Sequence, residues 1–242
     1  MKVLVTGGFG YLGGRIAKSL SAQGYKIRLG SRKIRSTPSW LQNAEVVQTI
    51  WGDSRKLFEI CEGVDAIIHT AGINAQDCSL DPVRAIEFNG AETARLVKAS
   101  CDAAVPRFIY LSTAHVYSSP LEGKISEDSC LLNNHPYATS HVAGENAVLY
   151  QDNPKQNLRT IVLRLSNLIG SPTHKDANCW QLAVNDFCRQ VAETARIEVN
   201  SPADVERDFI SISVLCSLIE LLVNSDRLDD NLINVVSSKT IS

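Results

Sequence analysis

No apolar run in this 242-residue chain approaches the ~20 residues that cross a bilayer. Charge of either sign is also not in excess. Lys and Arg number 24 against 26 Asp and Glu, a net of −2, so there is no basic field to attract nucleic acid or an anionic membrane. The seven cysteines (61, 78, 101, 130, 179, 188 and 216) are scattered and odd in number, and none forms a C-x-x-C pair. Neither a zinc site nor a disulfide framework is expected, and the thiols read as reduced packing residues. No internal repeat or low-complexity segment occurs. The N-terminus reads as a core strand and not as a signal peptide, which predicts a cytoplasmic protein. What remains is an ordinary globular composition, 44% hydrophobic and 21% charged. Its length suits one large α/β domain.

Strand and helix patterns alternate along the chain. Val3, Leu4 and Val5 form an apolar run without polar alternation, the mark of a strand buried on both faces. Further strands are expected over Lys26–Gly30, Glu45–Ile50, Val64–Thr70, Arg107–Ser112 and Arg159–Leu165, with one near Ile197–Val199. Helices are expected over Leu12–Gln23, Ser54–Glu62, Asp81–Ala104, Pro136–Tyr150, Cys179–Ala195 and Val214–Val223. Repeated β-α units predict a doubly wound parallel sheet with helices on both faces, a Rossmann-type fold. The predicted organisation is a dinucleotide-binding domain over residues 1–165. Residues 166–242 supply a small, incomplete C-terminal substrate region interleaved with its last strands and helices.

The densest signal is Thr6-Gly-Gly-Phe-Gly-Tyr-Leu-Gly13. Gly7, Gly10 and Gly13 lie at three-residue spacing between the first strand and a helical pattern of Leu12, Ile16 and Leu20. Gly7 permits the tight turn, Gly10 lets a pyrophosphate approach the backbone, and Gly13 lets the helix pack against the strand. The helix N–H groups and dipole then face the phosphates. An acid at the end of the second strand would bind the 2′-hydroxyl of NAD. That position, eighteen residues beyond Gly13, is Ser31, followed by Arg32, Lys33 and Arg35. A hydroxyl and a guanidinium suit a 2′-phosphate, so NADP is expected over NAD.

Later segments extend the pattern in order: Gly52-Asp53, His69-Thr-Ala-Gly72, Asn89, Leu111-Ser-Thr-Ala-His-Val-Tyr117, Tyr137-Ala-Thr-Ser-His141, Leu163-Arg-Leu-Ser-Asn-Leu-Ile-Gly170 and Arg207-Asp-Phe-Ile210. Together they resemble the extended short-chain dehydrogenase/reductases, the nucleotide-sugar epimerase/dehydratase family, over nearly the whole chain. The resemblance implies cofactor contacts at Gly7, Phe9, Gly10, Tyr11, Leu12, Gly13, Ser31, Arg32, Asp53 and Ala71. Asp53 reads equally well as an N-cap for the helix from Ser54. Substrate contacts are implied at Asn167 and Arg207, and a homodimer through the Asp81–Ala104 and Pro136–Tyr150 helices. The resemblance also makes Thr113 the residue that orients the substrate oxygen and Tyr137 the general acid/base. No metal is implied.

The sequence departs from the pattern at position 141, where the family places a Lys and this chain has His141. A cation ~4 Å from a Tyr at an effective dielectric of ~20 contributes ~4 kcal/mol, or ~3 pKa units. A His, mostly neutral at pH 7, supplies only part of that. Three readings stay open: His141 as an imperfect stand-in, a reductase that needs a less acidic Tyr, or a protein that binds cofactor with little turnover. Ala114 and His115 occupy the positions where the family's dehydratases carry Asp-Glu, which disfavours a 4,6-dehydratase. Asn234-Val-Val-Ser-Ser-Lys resembles the strand and turn that in the family lead into the helices completing the substrate lobe, and either a truncated chain or a reduced lobe is expected here. The expected activity is therefore 4-epimerisation or 4-keto reduction of a nucleotide-activated sugar by Tyr-assisted hydride transfer. The alternative is a non-catalytic NADP(H)-binding sensor or complex subunit.

Overall fold

A computed structural model describes residues 1–152, 158–199, 206–225 and 230–241. Its centre is a seven-stranded sheet made of β1 (Lys2–Thr6), β2 (Lys26–Ser31), β3 (Glu45–Gln48), β4 (Ala66–His69), β5 (Arg107–Thr113), β6 (Arg159–Leu165) and β9 (Leu232–Val235). The order is β3-β2-β1-β4-β5-β6-β9 and every pairing is parallel. β7 (Asn167–Ile169), β8 (Arg207–Ser211) and β10 (Thr240–Ile241) form a second, three-stranded sheet.

Alternation of side chains along each strand explains why the apolar runs are continuous. Val3 and Val5 join Ile68, Ile109 and Leu163 in one core layer. That layer is covered by α1 (Tyr11–Ala22) and α8 (Ile212–Asn224), through Ile16, Leu20, Leu215 and Ile219. Leu4, Ile67, Phe108 and Val162 point the other way. There they meet α2 (Ser54–Cys61), α5 (Thr93–Asp102) and α6 (Pro136–Tyr150), through Leu57, Leu96 and Val148. None of the helices among the described residues is long and apolar enough to cross a membrane.

The Rossmann-type prediction holds, with three local differences. The long helix expected from Asp81 opens at Pro82, but it is broken into α4 (Pro82–Ala85), a π-helical stretch over Ile86–Glu92, and α5. A separate helix, α3 (Ala75–Leu80), precedes it. The π stretch widens the turn and carries Asn89 inward. Asn89 Oδ1 accepts from Ile73 N at 2.8 Å, and its amide donates to Ser140 Oγ at 3.1 Å. This ties the loop after β4 to α6. The helix expected from Cys179 starts later, as α7 (Ala183–Thr194). The strand expected near Ile197–Val199 does not form, because that segment lies exposed without a partner strand. The Gln190 side chain meets it instead, accepting from Glu198 N at 2.7 Å.

α6 presents an unusual buried face: Ala138, Ser140, His141, Gly144, Glu145 and Val148. Close approach at Gly144 is obligatory. A Cβ there would stand 2.6 Å from the Asn89 carbonyl and 2.8 Å from the Tyr110 hydroxyl. Glu145 and Arg164 of β6 are only 1% and 5% exposed as side chains and form a multidentate ion pair, with Nη2 to Oε2 at 2.7 Å and Nε to Oε1 at 3.1 Å. Ser112 donates a further hydrogen bond to Glu145 Oε1, and Arg164 Nη1 donates to the Tyr117 hydroxyl at 2.8 Å. Every charged end thus has a partner, which a buried ion pair needs if it is to be tolerated. Replacing Glu145 with Ala strands Arg164 and should cost about 3–5 kcal/mol. Adding Arg164→Met should restore part of that loss, read from urea midpoints of the single and double variants.

Candidate active site

The turn between β1 and α1 is built by its glycines. Gly7 adopts φ 67°, a conformation that disfavours a Cβ. Gly10 N donates to Gly7 O at 2.8 Å and closes the turn. A Cβ on Gly13 would lie 2.3 Å from Gly7 O and 2.7 Å from Thr70 Oγ1, so only glycine lets α1 start this close to β1 and β4. α1 has neither a side-chain cap nor an acidic residue in its first turn. Its leading N–H groups and dipole are therefore free to receive an anion. The cradle fits a dinucleotide pyrophosphate.

The cradle opens into a cleft of about 680 Å³ along the C-terminal ends of the strands. Gly7, Phe9, Gly10, Tyr11, Leu12, Gly13, Ser31, Arg32, Ala71, Thr113, Tyr137, His141 and Asn167 all line it. Asp53 and Arg207 do not. Asp53 caps α2 instead, its Oδ1 accepting from Arg55 N and Lys56 N at 3.0 Å each. Arg207 lies on β8 close enough to His115 to help depress its pKa.

At the β2 end, the Ser31 hydroxyl closes a local turn, donating to Lys33 O at 2.8 Å. Arg32 lies over the Phe88 ring at 5.7 Å, and Arg35 over Phe9 at 4.8 Å. Trp51 meets Phe88 edge-on with centroids 5.2 Å apart, forming an aromatic wall that the sequence reading missed. An aromatic just past a strand end was the one available signal. Asp176, Asn178 and Gln181, also unforeseen, line the cleft from the segment before α7.

Thr113, at the end of β5, and Tyr137, in the first turn of α6, line the cleft together, and the Thr113 hydroxyl acts to lower the Tyr137 pKa. His135 fixes the start of α6: its Nδ1 accepts from Tyr137 N at 3.1 Å, and Pro136 fills the first helical position. Burial raises the Tyr137 pKa above its ordinary value, with Thr113 opposing. His115 also borders the cleft; burial first, and Arg207 second, lower its pKa.

His141 stands one helical turn after Tyr137, with the rings edge-to-face at 4.6 Å. It is 6% exposed, and burial pulls its pKa down to about 4. At neutral pH it is an uncharged ring and exerts little pull on Tyr137. Its Nδ1 lies 2.9 Å from the Tyr110 hydroxyl. Tyr110 reads in the sequence as a core residue of β5, and nothing in its spacing announces a polar contact.

The family model for the NAD dependent epimerase/dehydratase family matches residues 3–235. The chain belongs to this family. It is 30% identical over 218 residues to UDP-glucose 4-epimerase 3 of Oryza sativa subsp. japonica, covering 82% of this chain and 58% of that protein. It is 34% identical over 184 residues to human dTDP-D-glucose 4,6-dehydratase, covering 70% of this chain and 51% of that one. The chain spans about half the length of the first curated relatives it matches. Among solved structures, UDP-glucose 4-epimerase of Thermotoga maritima with UDP-glucose superposes with a TM-score of 0.86. The match has 19% identity and covers 100% of this chain and 78% of the other. DesIV, a dTDP-glucose 4,6-dehydratase from Streptomyces venezuelae with NAD bound, gives 0.84 at 21% identity, covering 100% and 77%. These structures share the fold, and the curated relatives are nucleotide-sugar epimerases and dehydratases. The family resemblance read from the motifs therefore holds.

Two buried imidazoles, His141 at the cleft and His69 behind it, couple stability to pH. His141 titrates near 4 and His69, also desolvated, near 3. Unfolding returns each to about 6.5. The unfolded chain then binds more protons below pH 6.5, so stability falls as pH drops through that window. Burial of His141 should cost about 3 kcal/mol by pH 4 relative to pH 7. His141→Gln should flatten the slope of unfolding free energy between pH 6.5 and 4, measured by urea unfolding at a series of pH values.

Proposed function

We propose that this chain is an NADP-preferring oxidoreductase or epimerase acting at C4 of a nucleotide-activated sugar. The observation that carries the reading is the Thr113–Tyr137 pair, brought together at the wall of the cleft that the glycine cradle opens into. A nicotinamide dinucleotide supplies or takes the hydride when bound. The chain's own residues do the rest. The glycine loop and the start of α1 hold the pyrophosphate. Arg32, held over Phe88 at the cleft, would supply a guanidinium to a 2′-phosphate. Asn178 and Gln181, which also line the cleft, would offer amide groups to the substrate, and Asn167 its amide oxygen, its Nδ2 being held by Asp208 O. Thr113 orients the substrate oxygen, and Tyr137 exchanges a proton with it.

Tyr137 keeps its proton at neutral pH, since burial raises its pKa and His141 is uncharged. A neutral phenol donates readily and accepts poorly. Reduction of a 4-keto sugar, in which Tyr137 gives its proton to the carbonyl oxygen, is the direction this arrangement supports best. The same neutrality of His141 favours the rival reading, a protein that binds NADP(H) without turnover.

Two measurements test the proposal. Arg32→Ala should weaken NADP binding about 10–100-fold while leaving NAD binding nearly unchanged, because one charge-assisted bond contributes about 1.5–3 kcal/mol. Equal weakening of both cofactors would refute the preference. With NADPH and a panel of nucleotide keto-sugars, Tyr137→Phe should lower kcat about 10²–10⁴-fold. His141→Lys should raise the rate near pH 7 if a cation is what Tyr137 lacks. A panel with no Tyr137-dependent rate sinks the enzyme reading and leaves the binding protein.

A further inference from the structure

Behind the cleft wall runs a row of buried polar groups that ends at His141. Thr6 Oγ1 lies 2.7 Å from His69 Nδ1, and His69 Nε2 lies 2.9 Å from Thr93 Oγ1. The Thr93 hydroxyl also acts on Tyr110, lowering a pKa that burial raises. Tyr110 Oη in turn lies 2.9 Å from His141 Nδ1. The three rings are stacked, with His69–Tyr110 centroids at 5.4 Å and 23°, and Tyr110–His141 at 5.9 Å and 25°. The line thus joins β1, β4, α5, β5 and α6. Only its last member borders the cleft.

Each hydroxyl has one proton, and each neutral imidazole has one N–H and one bare nitrogen. If His141 Nδ1 carried its proton, that N–H would point at Tyr110. The Tyr110 hydroxyl would then accept and need a separate acceptor for its own hydrogen. Tyr110 is buried, and among the described residues its hydroxyl has one geometric hydrogen-bond partner, His141 Nδ1. Tyr110 therefore donates to a bare His141 Nδ1, which leaves no hydrogen of this pair without an acceptor. By the same reasoning Thr6, fully buried with His69 Nδ1 as its partner, donates to His69 Nδ1, and His69 Nε2–H donates to Thr93.

We infer that Tyr110 is a positioning residue. It holds His141 as the Nε2–H tautomer, so that position 141 offers the cleft a neutral N–H donor. The acceptor this suits is a hydroxyl oxygen, and under the proposed function that is a ribose hydroxyl of the dinucleotide. Only this ligand assignment rests on that reading. Position 141 then keeps the hydrogen-bond donor of a lysine while giving up its charge. Orientation of the nucleotide and acidification of Tyr137 become separable.

The tautomer is read directly by long-range ¹H–¹⁵N correlation spectra of the full chain without added ligand, the His141 signals being assigned with His141→Gln. The expected result is a protonated Nε2 and a bare Nδ1 at pH 7. A protonated Nδ1 overturns the inference. Tyr110→Phe keeps the ring and removes the donor. It should turn the single tautomer into a mixture while thermal unfolding stays cooperative. Retention of the pure Nε2–H form in this variant overturns Tyr110 as the cause. Because these spectra need no dinucleotide, failure of NADP to bind would count against the proposed function and leave the tautomer result standing.

Discussion

The buried pair between Glu145 and Arg164 is the constraint on which the site depends. A carboxylate and a guanidinium out of water hold their partners tightly, because any slip leaves a charge unpaired. Glu145 is on α6 and Arg164 on β6, with Ser112 of β5 adding a third anchor. The helix that carries Tyr137 and His141 is thereby locked in rotation and height against the two strands that end at Thr113 and Leu165. Gly144 adds the condition of closeness, since any side chain there would meet Tyr110 or the Asn89 carbonyl. That Thr113 and Tyr137 face the same cleft is a consequence of this docking.

The same docking removes His141 from water, and a desolvated imidazole gives up its proton. A site that uses a cation to acidify its tyrosine needs that cation partly hydrated or paired. Here the carboxylate nearest along the helix, Glu145, is already committed to Arg164. The environment that fixes the helix thus also neutralises the residue at the key position, and the chemistry shifts towards proton donation by Tyr137.

Much of this was legible in the chain, because it rests on local rules. Three glycines between an apolar strand and a helical repeat admit few structures. The spacing from Tyr137 to His141 puts both on one helical face whatever surrounds them. The strand expected at Ile197–Val199 failed because a short β-branched run needs a partner, and sequence periodicity does not supply one. The break in the Asp81–Ala104 helix left no trace in the pattern, since a π turn keeps the same residues helical and changes only which of them face inward. Asp53 satisfied two readings from sequence; its geometry as the α2 cap shows which contact it makes within the chain.

Sequence alone determined the strand order's ingredients, the anion cradle and the identity of the groups at 113, 137 and 141, all set by residue type and spacing within a few turns of backbone. Tertiary structure decided which of these groups are charged, which are satisfied and which face the cleft. Burial, and the partner it brings, depends on residues far apart in the chain: Tyr110 on His141, Arg164 on Glu145, Thr6 on His69. A pKa or a tautomer belongs to that environment, and no reading of neighbours along the chain contains it.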